Sequence, residues 1–342
     1  MTATDKTALV IGATGSVGGE VAAVLLAHGW RVRGLHRDPA RAAREAVGLE
    51  RIEWLKGDAM SAADVTAAAQ GARVIVQGAN PPGYRNWAGL AVPMLEATIA
   101  AAQATGARIV FPGNVYNYGP DAFPRMAEDA PQNPTTRKGA IRVAMEQRLQ
   151  TAGVRTLIVR AGDFFGPVSA SSFLTEGLVA KDRPLRSVSY PGPRNIRHAW
   201  AYLPDLAETM ARLAEIEATL PGFAAYHFGG HQLTGDEMIA GLERVAGRRL
   251  GVKRFPWLAL RALAPFVEML RELTEMRYLW DNTVLLDNTK LVKTLGAEPH
   301  TPLETALKTA LQGQGCLPAA QRPRPEANPC AGRCEFVAGC WT

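Results

Sequence analysis

The chain has 342 residues, 47% of them apolar and 20% charged, which suits one large α/β domain with a smaller lobe and excludes global disorder. A formal charge of +6, with no long or aromatic-interleaved basic run, suits an anionic small-molecule ligand and argues against a nucleic-acid partner. No stretch of about 18 uncharged apolar residues is present, so no membrane partner is expected, and four cysteines, none before Cys316, with no signal-like N-terminus, fit a cytoplasmic protein.

The first 160 residues repeat one rhythm, an apolar β-branched run, a turn, then an amphipathic stretch. Thr7–Ile11 reads as a buried strand and Val17–Ala27 as a helix closed by His28-Gly29. Arg31–Leu35 is a second strand, after which Asp38-Pro39 caps a helix. Arg51–Leu55 is a third strand, and Ser61-x-x-Asp64 reads as a variant capping box. Strands at Arg73–Val76, Ala107–Phe111 and Val154–Arg160 alternate with helices at Gly89–Thr105 and Thr136–Thr151. A loop rich in Pro, Asn and Tyr spans 112–134. Continuously apolar strands alternating with helices predict an α/β fold, a doubly wound parallel sheet of the Rossmann kind.

After Gly166 the rhythm breaks. Residues 1–165 are expected to form the dinucleotide-binding domain, and 166–312 a smaller, mainly helical substrate lobe, with a strand near 225–229 returning to the sheet. The stretch Arg254–Trp280 is amphipathic and helical; it reads either as a substrate or membrane-surface helix or as a helix packed onto the lobe, and packing is expected, with Arg261, Glu268, Arg271 and Glu272 on its wet face. Residues 313–342 read as a disordered tail. The spacing Cys330-x3-Cys334-x5-Cys340 matches no common zinc pattern, so no metal is expected.

Gly12-Ala-Thr14-Gly15-Ser16-Val17-Gly18 lies between the first strand and the first helix. Gly12 permits the sharp turn, Gly15 lets a pyrophosphate approach the backbone, and Gly18 lets the helix pack close to the sheet. The helix N-terminus offers N–H groups and a partial positive charge to the phosphates. NAD sites place an acidic residue at the end of the second strand, to hold the ribose 2′-OH. Here His36 and Arg37 stand there instead, with Arg33 earlier on the strand, and Arg37 suits a 2′-phosphate. NADP is therefore expected, with NAD as the alternative.

The spacing of these units resembles the extended, atypical short-chain dehydrogenase/reductase family, the NAD(P)-dependent epimerases and dehydratases, from about residue 5 to 312. The resemblance is carried by the phosphate loop, Gly57-Asp58, Gly78-Ala79 and Asn114-Val-Tyr116-Asn-Tyr118-Gly119. Further on it is carried by Arg160-Ala-Gly-Asp163-Phe-Phe-Gly166-Pro167, His198-Ala-Trp-Ala-Tyr-Leu-Pro-Asp205, and Asp287–Leu295 with its following Thr301-Pro-Leu-Glu. It implies that Asp58 meets the adenine and that Gly78 and Ala79 lie along the cofactor ribose.

The family uses a Ser, a Tyr and a Lys, the last two four apart on a helix. Asn114 stands in the Ser position, Lys138 in the Tyr position and Arg142 in the Lys position, so all three are substituted. Asn114 can still donate an amide N–H to a carbonyl oxygen, and Arg142 keeps the charge and donors a ribose needs. Lys138 can act as a general acid if burial and the like charge of Arg142 lower its pKa, while Glu146 opposes this by pairing with Arg142. Tyr116 and Tyr118 offer a second source of a phenol. His198 is expected to be a packed residue, and Asp205 a helix N-cap. The expected function is an NAD(P)-dependent oxidoreductase or epimerase-like enzyme acting on a carbonyl or secondary alcohol, as a possible homodimer. The alternative is a catalytically silent NAD(P)-binding sensor or scaffold.

Overall fold

The computed structural model describes residues 6–81, 87–167, 174 and 178–318. Seven parallel strands form the main sheet: β1 (Thr7–Ile11), β2 (Arg31–His36), β3 (Glu53–Lys56), β4 (Val74–Gln77), β5 (Arg108–Asn114), β7 (Thr156–Ala161) and β11 (Phe223–His227). A two-residue strand, β6 (Arg125–Met126), lies outside that sheet. The order β11-β7-β5-β4-β1-β2-β3 is doubly wound, and reverses between β1 and β4. That reversal opens a crevice at the carboxyl ends of the two strands, where doubly wound sheets bind ligands.

Both faces of the sheet are covered, which explains the continuous apolar strands: all five residues of β1 and all six of β7 are buried. On one face, α1 (Ser16–Ala27) lays Val21 and Leu25 into a core shared with Leu206 and Met210 of α6 (Leu203–Glu215). On the other, α3 (Ala62–Ala68), α4 (Trp87–Thr105) and α5 (Arg137–Thr151) contribute Val65, Leu95, Met145 and Leu149. A short α2 (Pro39–Glu45) begins as its sequence predicts, with the Asp38 side chain accepting from the Arg41 N–H. Ser61 likewise caps α3 by accepting from Asp64 N–H. The Asp64 carboxylate does not complete a capping box; it accepts from Asp58 N–H at 2.9 Å.

The strand expected near 225–229 is β11, which pairs in parallel with β7. The remaining elements are β8 (Asp163–Phe165), β9 (Ser187–Tyr190), β10 (Arg197–Tyr202), β12 (His231–Thr234), β13 (Gly251–Arg254) and β14 (Leu285–Leu286), with helices α7 (Gly235–Ala246) to α12 (Leu303–Gly313). Val188, Trp200, Leu242 and Leu307 centre a second core. Because α6 and β11 join the sheet layers, this second core is built from stretches on either side of them in the chain.

Two expectations change. The stretch Arg254–Trp280 is three short helices, α8 (Trp257–Leu263), α9 (Glu268–Glu275) and α10 (Arg277–Trp280). Pro265, which has no N–H to continue a helix, lies between the first two. Trp257 is buried, but Leu258 and Phe266 are 84% and 85% exposed, so packing onto the lobe is only partial. The tail expected from Gly313 begins with packed residues: Gln314 and Cys316 are buried, and the Gln314 amide donates to Pro167 O at 3.3 Å. Residues 319–342, with Cys330, Cys334 and Cys340, lie outside the described residues. Among the described residues no helix is long and apolar enough to cross a membrane, and no cluster of metal-ligand side chains forms.

Candidate active site

The phosphate loop is set by contacts that exclude side chains. Gly12 has φ 85°, and a Cβ there would lie 2.6 Å from Ala79 N. A Cβ on Gly18 would lie 2.3 Å from Gly12 O, and one on Gly78 would lie 3.1 Å from Gly18 Cα. The turns after β1 and β4 therefore press against each other through glycine. Gly15 differs: its Cβ would meet only Gly12 O of its own loop, and the rest of that side is open. Gly15 is also the N-cap of α1, without a side chain to cap it, and no acidic residue lies in the first turn of Ser16, Val17 and Gly18. An uncapped, acid-free helix start behind an open glycine fits a pyrophosphate. Thr14 is exposed on the same loop.

The end of β2 carries no carboxylate. Arg33 is engaged: its guanidinium donates to Gln70 O at 2.6 Å and Ala68 O at 3.2 Å, and lies 3.4 Å from Glu53. His36 accepts from Asp38 N–H at 3.0 Å and meets Trp54 edge to face. Arg37 is exposed, with no side-chain partner among the described residues. Asp58 lies after β3, with one carboxylate oxygen accepting from Met60 N–H and its own N–H tied to Asp64.

Asn114 ends β5, and its Oδ1 accepts from Tyr116 N–H at 3.0 Å. That bond fixes the amide orientation, with Nδ2 as the remaining donor group. The start of α5 abuts this turn, since a Cβ on Gly139 would lie 2.3 Å from Tyr116 O. Lys138, on that first turn, is 4% exposed. One turn on, Arg142 lies between the rings of Trp87 and Phe111, 5.1 and 5.3 Å away, and donates to Pro112 O at 3.3 Å. Trp87 is fixed by donating to Asn80 Oδ1 at 2.6 Å. The sequence reading missed Trp87 and Asn80, which flank the Gly78-Ala79 turn and carry no motif of their own.

The electrostatics of Lys138 differ from expectation. Its pKa is lowered, and burial is the cause; Glu272 and Glu275 on α9 oppose the shift. Lys138 Nζ lies 3.5 Å from Glu272 Oε2, and the neighbouring Arg137 also bonds Glu272, at 3.0 Å. Glu146 does not pair with Arg142. It is buried against Arg160, whose Nη2 donates to it at 2.6 Å. Tyr118 is also excluded from the vacant phenol position. It is fully buried, accepts from Arg160 Nη1 at 2.8 Å and donates to His227 Nε2 at 2.7 Å. Burial raises its pKa further above the ordinary phenol value. Tyr116 is half-buried and packs against the apolar cluster that includes Val115 and Met276.

His198 is packed as expected, 2% exposed and stacked on Trp280 at 4.0 Å. Its Nε2 meets Asp163 Oδ2 at 2.5 Å, a pair the sequence reading did not foresee. Asp205 is not an N-cap. Tyr202 precedes α6 in that position, and the Asp205 carboxylate instead accepts from Thr301 N–H and Oγ1, both at 2.7 Å.

The doubly wound sheet and its glycine-lined crevice make a Rossmann-like fold. The NmrA-like family matches residues 4–304, and the chain belongs to that family. Among solved structures, the chain is similar to UDP-glucuronic acid 4-epimerase from Bacillus cereus in complex with NAD, with 17% identity, 92% of this chain and 99% of that one covered, and a TM-score of 0.70. UDP-glucose 4-epimerase from Bifidobacterium longum, in complex with NAD+ and UDP, matches at 16% identity, covering 91% and 100%, with a TM-score of 0.68. WbmH from Bordetella bronchiseptica, in complex with NAD+, matches at 18%, covering 91% and 99%, with a TM-score of 0.66. No curated protein matches the chain.

Proposed function

We propose that the chain is an NADP-dependent oxidoreductase or epimerase-like enzyme that acts on a carbonyl or secondary alcohol of an anionic small molecule. The carrying observation is Lys138, a buried lysine of lowered pKa on the turn of α5 that abuts the turn after Asn114. A general acid needs a pKa brought toward neutrality and a place beside the reacting oxygen. Two of the similar proteins are named as 4-epimerases of UDP-glucose and UDP-glucuronic acid, and nucleotide sugars are one class of such a substrate.

When bound, the cofactor supplies the hydride acceptor or donor. Gly12, Gly15 and Gly18, with the first turn of α1, would hold its pyrophosphate, and Asp58 its adenine side. Gly78 and Ala79 would line the ribose, Arg142 would donate to its hydroxyls, and Arg37 would take a 2′-phosphate. Asn114 Nδ2 donates to the reacting oxygen and orients it. Lys138 Nζ gives that oxygen a proton as a carbonyl is reduced, and takes it back as an alcohol is oxidised. Tyr116 is the remaining phenol within the same turn. The cytoplasmic setting and a homodimer belong to the same reading.

A second reading, a silent NAD(P)-binding sensor, is favoured by the Lys138–Glu272 pair, which holds the ammonium against α9. One set of variants separates the two. Fluorescence titration should show NADPH binding more tightly than NADH, with Arg37→Ala removing most of the difference. Lys138→Met should abolish turnover of a ketone or nucleotide-sugar substrate while NADPH still binds. Glu272→Gln removes the carboxylate that opposes the lowered pKa, so the lysine limb of the pH–rate profile should move to lower pH. Cofactor binding with no hydride transfer to any of a broad carbonyl panel, in both parent and Glu272→Gln, would establish the sensor.

A further inference from the structure

The segment from Arg244 to Val267 contains six basic residues and no acidic one. Arg244 is paired with Glu304, and Arg249 with Glu243 at 2.9 Å. Arg248, Lys253, Arg254 and Arg261 are exposed, with no ion-pair partner among the described residues. The same segment holds five of the eight large apolar side chains left exposed among the described residues: Val252, Leu258, Leu263, Phe266 and Val267. They are held out by a fixed base. Trp257 is buried, donates to Pro191 O at 2.6 Å and lies under the Arg277 guanidinium, 5.6 Å away.

We infer that this face of the C-terminal lobe, built from β13, α8 and the turn before α9, docks onto an anionic phospholipid surface. The apolar tips would enter the headgroup boundary, and the four unpaired cations would meet the lipid charge. Charge decides the occupant. A two-fold self-association through this face would set the same cations against one another, with no acid in the segment to relieve them. A nucleic-acid surface gives exposed Leu258 and Phe266 nothing to bury against, whereas a bilayer satisfies both halves. This is peripheral attachment, compatible with the absence of a spanning helix among the described residues.

Co-sedimentation of the full chain with vesicles tests this. Vesicles of phosphatidylcholine with 30% phosphatidylglycerol (about the charge of an anionic leaflet) should bind the protein, pure phosphatidylcholine should not, and salt should weaken binding. Each cation near such a surface is worth about fivefold in partitioning, so Lys253→Gln with Arg254→Gln should weaken binding by about 30-fold. Phe266→Gln should weaken it by about tenfold or more. These side chains are exposed, so the variants should keep the parent melting temperature and NADPH affinity. Failure to bind anionic vesicles overturns the proposal, as does equal binding to neutral ones. Binding that survives Phe266→Gln or the double charge variant overturns it too. Sedimentation equilibrium supplies the other occupant: a dimer that Leu258→Gln dissociates would assign the face to a second copy.

Discussion

Acid should weaken the fold through His227, and the size of the effect follows from its surroundings. The ring is completely buried, with Nδ1 donating to Met126 O at 3.0 Å and Nε2 accepting from Tyr118 Oη at 2.7 Å. Arg160 Nη1 lies 3.3 Å from the same Nε2, so a second proton there would face a hydroxyl donor and a guanidinium. Burial first, then the Arg160 charge, bring the His227 pKa down to about 3 from 6.5. A depressed folded-state pKa means that the unfolded chain takes up the proton first. The stability from His227 is present above pH 6.5 and drains away as the pH falls toward 3. Between pH 7 and pH 5 the loss is about 2 kcal/mol, from 1.36 kcal/mol per pKa unit over the 1.5 units below 6.5. Urea unfolding at intervals across that range should show it, and His227→Gln, which cannot titrate, should flatten the curve by that amount. A variant with the same pH slope as the parent would show that His227 is protonated in the folded state and that its Nε2 does not accept from Tyr118. His231, lowered to about 4 by burial and then by His300, acts in the same direction.

Glu217 is buried and binds three arginines, Arg155 at 2.8 Å, Arg73 at 3.3 Å and Arg108 at 3.4 Å. Arg108 is itself only 1% exposed, so Glu217→Gln strands a buried guanidinium and should cost about 3 kcal/mol in urea unfolding; a cost below about 1 kcal/mol would mean the carbonyls of Thr156, Leu220 and Pro221 hold Arg108 alone. Ending the chain after Gly313 removes the buried Gln314 and Cys316, and should lower the melting temperature more than ending it after Pro318 does. Equal melting temperatures would show that those two residues add nothing to the lobe.

The sheet was legible because its signals are local. The central strands are short apolar runs, most crossover helices have a cap or a closing glycine, and the loop glycines are spaced for a turn, an approach and a close packing. The C-terminal lobe carried weaker signals. Its three small sheets pair strands of two to six residues, too short for a period to register. The alternation of Arg254–Trp280 showed amphipathicity without showing which apolar residues would find a neighbour, and Leu258 and Phe266 did not. The ordered start of the tail was hidden for a related reason: Gln314 and Cys316 bond residues distant in sequence, among them Pro167, Ala180 and Asp182, which leave no pattern in the chain.

The candidate site shows where such reading stops. Lys138, Arg142 and Glu146 stand four apart on one helix, and on an isolated helix Arg142 would pair with Glu146 and repel Lys138. In the fold that ladder is taken apart by partners distant in sequence. Glu146 meets Arg160 across 14 residues, Arg142 enters the ring pair of Trp87 and Phe111, and Lys138 meets Glu272 more than a hundred residues on. Burial strengthens each of these pairings relative to a solvated rung, because fewer waters compete for the charge. The consequence is chemical. Arg142 does not control the charge state of Lys138; the acidic edge of α9 opposes what burial does to it. That edge belongs to the helix directly after the exposed cationic face. On the proposed reading, the protonation of Lys138 thus depends on a segment that the Rossmann motifs never touch, and a variant of α9 should alter turnover while leaving cofactor affinity at the phosphate loop unchanged.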